Sequence, residues 1–283
     1  MPTFTNKATL SYNGITVDSN TVTGNFAALL SATKTALNET YETGSRITYV
    51  ISLVNPGASS LSGLSVTDNL GGYEFDVTTV YPLSYVEGSL LYLVNGVPEA
   101  EPLTIVGPPL VITDISVPAG GNVTLIYEAD VNDFAPPDIG GVITNTVTVS
   151  GAGLPENVTA TETISAAEAP SLTITKSLFP TTVLENGEIN YTFVIENRGN
   201  TDIVATDNAT VSDLFDPILD ISSVTLDGST LFLGTGYSYN TASGLFETLP
   251  GVITVPAATY TQNPDGSFTT VPGTTTLTVT GTI

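Results

Sequence analysis

The chain has 283 residues, of which 41% are hydrophobic, and its 28 acidic and 5 basic side chains give a net charge of −23. This length and this hydrophobic content are sufficient for two hydrophobic cores of ordinary size. A nucleic-acid interface needs a basic patch that neutralises phosphates, and 5 scattered cations cannot form one, which excludes nucleic acid as a partner.

The residue types that the chain lacks exclude several chemistries. It contains no cysteine, no histidine and no tryptophan. Disulfides, thiolate metal sites and catalysis by a serine–histidine–aspartate relay are therefore ruled out. We expect no cofactor, no metal site and no enzymatic activity. The first residues do not resemble a signal sequence and no apolar run is long enough to span a bilayer, so we expect no membrane insertion.

The first predicted element is a strand at residues 5–11. Its pattern of residue types matches that of residues 144–150, which close the first half of the chain, whereas the second half has no matching segment. Residues 19–23 also alternate in the manner of a strand. We predict that the first segment is a donor strand, made of Thr5, Asn6, Lys7, Ala8, Thr9, Leu10 and Ser11.

The rest of the chain consists of short alternating runs of apolar and polar residues, bounded by turn residues. Residues 47–54 and 123–127 are examples, and their period of two is typical of half-buried strands. The spacing of these runs predicts an all-β fold built from β-sandwiches.

An internal repeat divides the strands into two tandem units. Lys34 matches Lys176, and residues 47–49 match residues 189–191, in each case 142 positions apart. A spacing of this size accounts for nearly the whole chain in two copies. The predicted organisation is a donor strand and connector at 1–29, a β-sandwich at 30–161, a linker at 162–170 and an incomplete β-sandwich at 171–283.

The repeated motifs resemble a known family. A Lys is followed by Gly-x-x-x-x-Tyr-x-x-x-x-x-Asn, then Val-Thr-Asp, Val-Pro-Ala and Thr-Asn-Thr-Val-Thr-Val-Ser. This pattern resembles the bacterial surface "conserved repeat domain", also called domain of unknown function eleven. Both halves match, although the gap from Gly187 to Tyr191 is one residue shorter and the second half lacks its closing strand. The resemblance implies two tandem immunoglobulin-like sandwiches, as on cell-surface stalks and adhesins, without enzymatic activity.

Each half also carries one Lys and one Asp that share a strand face with apolar neighbours, and so do one Asn of β-strand residues 144–150 and its counterpart in residues 5–11. Alternate side chains of a strand lie on one face, so this parity predicts that all three point inward. An isolated buried charge is costly, and the three side chains should therefore meet. The candidates are Lys34, Asp68 and Asn145 in the first half, and Lys176 and Asp213 in the second. The second half has no such Asn of its own, and we expect the donor-strand Asn6 of the next subunit to provide it.

Two interpretations of these triads stay open. In the first, the Lys and the Asp form a buried ion pair, and the Asn satisfies the remaining hydrogen bonds. In the second, which resembles sandwiches of Gram-positive surface proteins, the Lys and the Asn form an isopeptide bond. Burial would lower the pKa of the Lys, its amine would attack the Asn carboxamide that the Asp polarises, and ammonia would leave.

The predicted function is that of a structural subunit. Identical subunits would form an extracellular filament or appendage, in which the N-terminal strand of one subunit completes the C-terminal domain of the next. The alternative is a surface adhesin or stalk that acts as a binding module, which would need an exposed apolar or aromatic patch. The expected location is the cell or spore surface, after cytoplasmic synthesis and release.

Overall fold

The computed structural model describes residues 3–25 and 30–283, and within them it contains strands, turns and a 3-10 helix at Ala205–Asp207. The predicted all-β fold is confirmed. The chain divides into two compact units. Unit 1 comprises Met1–Asn132 and Ile143–Ile164, and unit 2 comprises Asp133–Val142 and Ser165–Ile283. None of the described segments is a helix of the length and apolar character needed to cross a membrane.

Unit 1 begins with an antiparallel hairpin, here called the N-terminal hairpin, which covers residues 3–25. Its turn is Asn13-Gly14, with φ values of 45° and 81°, and a two-residue hairpin turn of this type needs positive φ at both positions. The second strand pairs with the third and the first with the fourth. The strands are β1 (Thr3–Asn6), β2 (Thr9–Tyr12), β3 (Ile15–Asp18) and β4 (Val22–Asn25).

The hairpin corrects the extent of the strand predicted at residues 5–11. Two strands replace it, with Lys7 and Ala8 between them, and both are already paired within the chain. The hydroxyl oxygen of Ser19 accepts a hydrogen bond from Ala8 N at 2.9 Å. The pairing register shifts by one residue there, so the strand predicted at residues 19–23 is found instead at Val22–Asn25.

The remaining strands of unit 1 form a sandwich. Their bounds are β5 (Ser31–Ala36), β6 (Thr40–Tyr41), β7 (Arg46–Val54), β8 (Leu61–Asp68), β9 (Tyr73–Phe75), β10 (Thr78–Val80), β11 (Leu83–Tyr85), β12 (Leu91–Val94), β13 (Val97–Pro98), β14 (Thr104–Ile105), β15 (Leu110–Val117), β16 (Asn122–Val131), β17 (Val142–Ser150) and β18 (Val158–Ala166). β18 reaches Ala166, and so it occupies part of the segment predicted as a linker.

Two sheets enclose the core of unit 1. One has the order β13-β12-β16-β7-β5 and the other β14-β15-β8-β17-β18-β6. These orders match an immunoglobulin-like sandwich. Its ABED sheet corresponds to β5, β7, β16 and β12, in that order, and its CFG sheet corresponds to β8, β17 and β18. Strand β15 is added beside β8. Alternate residues of β7 are fully buried, among them Ile47 and Ile51, because their side chains point between the sheets.

Unit 2 repeats only part of this sandwich. Its main sheet has the order β19-β20-β28-β22-β23, which corresponds to β5-β7-β16-β12-β13 of unit 1. A second sheet has the order β21-β25-β24. The bounds are β19 (Leu172–Phe179), β20 (Glu188–Asn197), β21 (Ser212–Leu214), β22 (Asp220–Leu226), β23 (Ser229–Thr230), β24 (Tyr237–Asn240), β25 (Leu245–Thr248), β26 (Thr259–Gln262), β27 (Phe268–Val271) and β28 (Gly273–Thr282).

The two units differ most at one strand edge. In unit 1, β8 pairs with β15 on one side and β17 on the other. In unit 2 its counterpart β21 pairs with β25 alone, and the described residues of this unit include no counterpart of β17 or β18. Aromatic and aliphatic side chains such as Phe215, Phe246 and Leu277 still form a core. Unit 2 is therefore a sandwich with one face only partly covered.

Candidate functional site

In unit 1, the structure places the three predicted residues in the core. Lys34 on β5 forms an ion pair with Asp68 at the end of β8, and their side chains are 0% and 1% exposed. Asn145 on β17 is also fully buried. Asp68 lies opposite Val147 in the β8–β17 register, and Asn145 is two residues before Val147 on the same face. The side chains of Lys34 and Asp68 are thus in direct contact, beside Asn145.

A fourth side chain, that of Tyr127 on β16, connects the three. Its hydroxyl donates a hydrogen bond to Asp68 Oδ2 at 2.5 Å and accepts one from Lys34 Nζ at 3.1 Å. Asn145 Nδ2 lies 3.3 Å from the same hydroxyl oxygen and donates to it. Tyr127 was not among the predicted site residues, because it occupies an ordinary inward position of an apolar strand. The alternation of residues 123–127 indicates its inward position, but nothing in the sequence indicates its contact with Asp68.

Burial dominates the electrostatics of this cluster. It lowers the pKa of Lys34, and the carboxylates of Asp68 and Glu162 offset part of that shift. Burial first, and then the charge of Asp68, raises the pKa of Tyr127 well above its usual value. Tyr127 therefore keeps its proton and remains a hydrogen-bond donor to Asp68.

The carboxamide oxygen of Asn145 stands apart from this network. It is buried and has no hydrogen-bond partner among the described residues. The second carboxylate oxygen of Asp68, Oδ1, accepts a hydrogen bond from Leu70 N at 2.9 Å. A buried acceptor without a partner is uncommon and needs an explanation. The Asn145 carboxamide oxygen is therefore a free acceptor beside the Lys34–Asp68 pair, among the described residues.

In unit 2, the corresponding pair is more exposed. Lys176 on β19 and Asp213 on β21 also form an ion pair, but their side chains are 40% and 17% exposed. Lys176 Nζ lies 4.5 Å from the centre of the Tyr191 ring, a favourable cation–π distance. Val279 lies opposite Tyr191 where unit 1 has Tyr127 opposite Tyr49, so no tyrosine bridges this pair. The predicted burial of Lys176 is thus only partial within one chain.

The exposure of Lys176 belongs to a larger uncovered surface. All eight residues of β19 are exposed, and Leu172 is 46% exposed where its counterpart Leu30 in unit 1 is 3% exposed. In unit 1, β18 covers this region, and Glu162 of β18 accepts a hydrogen bond from Ala36 N at 3.3 Å. We call the uncovered surface the open face of unit 2, formed by Leu172, Ile174, Lys176 and Leu178 of β19 together with the unpaired edge of β21.

The N-terminal hairpin has an uncovered apolar surface of its own. Leu10 lies opposite Val17 and Tyr12 opposite Ile15, so these four share one face. Asn6 lies on this face by parity and pairs with Val22. The opposite face is polar, with an ion pair between Lys7 and Asp18 at 2.6 Å. We call the first surface the apolar face of the hairpin; its five large side chains, Leu10, Tyr12, Ile15, Val17 and Val22, are 56% to 71% exposed.

The second triad is therefore divided between the two units. Asn6 belongs to unit 1, whereas Lys176 and Asp213 belong to unit 2. No group of acidic side chains among the described residues is arranged to hold a metal ion. Strand β3 was not predicted from the sequence. The Asn-Gly dipeptide at residues 13–14, flanked by alternating apolar residues, could have indicated it.

We expect the two ion pairs to respond differently to loss of the acid. Asp68→Asn leaves the buried ammonium of Lys34 without its counter-charge and should lower the free energy of unfolding of unit 1 by about 3–5 kcal/mol. Asp213→Asn is the matched control, because its partner Lys176 is 40% exposed, and it should change stability by no more than about 1 kcal/mol. Urea unfolding of the dilute chain measures both changes. Equal losses of stability in Asp68→Asn and Asp213→Asn would contradict the difference in burial between the two ion pairs.

Tyr127→Phe should destabilise unit 1 in a manner that depends on pH. At pH 7 it removes a hydrogen bond to a charged group, at a cost of about 1.5–3 kcal/mol. Because the folded state raises the pKa of Tyr127, the stability that its phenol contributes is present below the unfolded value of about 10 and is lost at higher pH. The difference in free energy of unfolding between the natural chain and Tyr127→Phe should therefore become smaller above about pH 10. Urea midpoints on both sides of that pH test the sign, and a deficit independent of pH would contradict it.

Comparisons with known proteins give low-identity structural similarities. No family model matches the chain, and no curated protein matches it. The major pilin subunit of Bacillus cereus is 11% identical, over 96% of this chain and 73% of that one, with a TM-score of 0.37. A 35 kDa C-terminal fragment of the major pilin of Streptococcus agalactiae is 11% identical, over 86% of this chain and 91% of that one, with a TM-score of 0.37.

The pilus backbone of Streptococcus pneumoniae is 10% identical over 87% of this chain, with a TM-score of 0.34. The present chain covers 55% of that structure, or about half its length. Because these TM-scores lie below 0.5, the similarities carry no argument about function or assembly. Membership of the conserved repeat domain family stays a prediction.

Proposed function

We propose that this protein is the structural subunit of a self-assembling surface filament, in which the N-terminal segment of one chain completes unit 2 of the next. The observation that carries this proposal is the pair of uncovered apolar surfaces. Unit 2 has an open face where unit 1 has β17 and β18, and the N-terminal hairpin exposes an apolar face. Residues 5–11 of this hairpin match residues 144–150 of β17. An unpaired strand edge beside exposed apolar residues favours strand addition by a specific partner.

The match to β17 gives the register of this contact. In unit 1, Val147 lies opposite Asp68 and Val149 lies opposite Val66. Transferred to unit 2, this register places Ala8 opposite Asp213 and Leu10 opposite Val211 of the neighbouring chain. Asn6 would then take the position of Asn145, next to the Lys176–Asp213 pair.

A contact of this kind propagates. The donor and acceptor surfaces are different parts of the chain, so each added copy presents a new free acceptor or donor, and the product is a filament or a closed ring. The net charge of −23 should keep finished filaments apart. The alternative function, a monomeric binding module, predicts a chain that stays monodisperse at every concentration.

Cysteine cross-linking tests the proposed register without background, because the natural chain has no cysteine. Thr148 lies opposite Thr67 in unit 1, and the corresponding pair between chains is Thr9 and Ser212. The double variant Thr9→Cys, Ser212→Cys should form disulfide-linked multimers on mild oxidation. The single variant Thr9→Cys should form dimers at most. Oxidised double variant that remains monomeric would overturn the proposed contact.

We further propose that both triads form isopeptide bonds. The neutral amine of Lys34 attacks the carboxamide carbon of Asn145, a C–N bond forms, the original C–N bond of the carboxamide breaks, and ammonia leaves with the transferred protons. Burial supports the neutral amine, since it lowers the pKa of Lys34. Within the ion pair, the Lys34 ammonium would pass a proton to Asp68, and Asp68 would pass that proton to the carboxamide oxygen, which has no hydrogen-bond partner among the described residues. In the filament, Lys176 and Asp213 would act in the same way on Asn6 of the neighbouring chain.

A further inference from the structure

We propose that both halves of the N-terminal hairpin, β1–β2 and β3–β4, are donated to the open face of a second copy of this chain, and not β1–β2 alone. The hairpin would supply the counterparts of β17 and β18 together. This inference rests on the proposed function and specifies which residues form the contact.

Strand β19 of unit 2 lacks the cover that its counterpart β5 has in unit 1. In unit 1, β17 pairs with β8, and β18 lies on the far side of β17, where Glu162 reaches Ala36 of β5. A single donated strand beside β21 would replace β17 only. The exposed Leu172, Ile174 and Leu178 of β19 would still lack the cover that β18 gives to β5. Covering them requires a second strand.

The second half of the hairpin, β3 and β4, also carries exposed apolar residues. Ile15 and Val17 on β3 and Val22 on β4 are each more than half exposed, like Leu10 and Tyr12 on β2, and they lie on the same face. An isolated two-stranded hairpin is marginally stable in water. A donor that acted through one strand would have no use for this second row of exposed apolar residues.

The polar faces of the two hairpins also correspond. In unit 1, the outward threonines of β17 and β18 contact each other, with Thr146 Oγ1 and Thr161 Oγ1 2.9 Å apart. In the N-terminal hairpin, the outward Thr9 hydroxyl donates to Asp18 at 2.8 Å. The β17–β18 pair and the N-terminal hairpin therefore each have one polar face, which can contact solvent, and one apolar face, which can pack on a core. The N-terminal hairpin differs in that its second surface is uncovered within the chain.

Charge substitutions on the two faces of β3 provide the test. Val17→Asp places a carboxylate on the apolar face and should raise the protein concentration needed for assembly by about tenfold or more, because an unpaired charge would be buried. Thr16→Asp adds the same charge on the polar face and is the matched control, which should assemble within about twofold of the natural chain. Val17 is already exposed in the free chain, so thermal unfolding should show both variants folded.

The outcomes separate this inference from the proposed function. If Leu10→Asp blocks assembly and Val17→Asp does not, a single strand is exchanged and the hairpin inference is overturned. If Leu10→Asp also assembles normally, the proposed function fails as well. Hydrogen–deuterium exchange gives a second measurement that does not depend on variants. Assembly should increase protection through residues 15–25, and increased protection that stops at Tyr12 would overturn the inference.

Discussion

A chain that lacks residues 1–25 should remain monomeric at concentrations at which the natural chain forms filaments. The deleted segment carries the whole apolar face of the hairpin, and each buried Leu, Ile or Val side chain contributes about 1.5–3 kcal/mol. Losing several such contacts together removes most of the association free energy. Because these side chains are more than half exposed in the free chain, both units should keep their stability. Sedimentation and negative-stain imaging measure the assembly.

A separate peptide of residues 3–25 provides the complementary experiment. Added in excess, it should occupy the open face of unit 2 and cap growing filaments. A peptide of the same composition in scrambled order is the control and should have no effect. Truncated chains that still form the same filaments would contradict the proposed role of the hairpin.

Substitution of the two candidate asparagines should separate the internal bond from the bond between chains. Natural filaments should survive boiling detergent as a ladder, and each chain should be lighter by one ammonia for each bond. In Asn6→Ala, the bond between chains cannot form, so the ladder should disappear while each chain still shows the mass loss of the internal bond. In Asn145→Ala, the internal bond cannot form, so the ladder should persist and that mass loss should be absent. Detergent gels and intact-protein mass spectrometry measure the two effects.

The control for these substitutions is Asn20→Ala, which alters an exposed asparagine of the N-terminal hairpin outside its strands. It should leave both the ladder and the mass unchanged. Filaments that dissolve in detergent into chains of unmodified mass would contradict the isopeptide proposal, and the buried ion pair would remain as the role of Lys34 and Asp68.

Strand parity was sufficient to place Lys34, Asp68 and Asn145 on inward faces, because alternation depends only on local backbone geometry. It could not identify Tyr127, whose hydroxyl acquires its role only when β16 packs opposite the end of β8. It also could not give the exposure of Lys176, which depends on strands that unit 2 does not contain among the described residues. These features arise from tertiary packing and not from local pattern.

The N-terminal segment shows a different kind of error. The match between residues 5–11 and β17 drew attention to one strand, and the connector after it was expected to hold a further strand at residues 19–23. The Asn13-Gly14 turn instead folds the chain back at once, so β3 pairs with β2. Positive φ at both turn residues was predictable from the dipeptide. The register shift near Ser19 was not, since the hydrogen bond from Ala8 N to the Ser19 hydroxyl at that point joins residues 11 positions apart.

The most direct test of the central claim is to mix two variants that are each unable to polymerise. Leu10→Asp has a defective donor and an intact open face, whereas Ile174→Asp has an intact donor and a defective open face. Each alone should be monomeric. Mixed in equal amounts, they should form one-to-one dimers by analytical ultracentrifugation and no larger species, because the dimer has no functional surface left. Mixtures that stay monomeric, or single variants that still form filaments, would contradict head-to-tail exchange between chains.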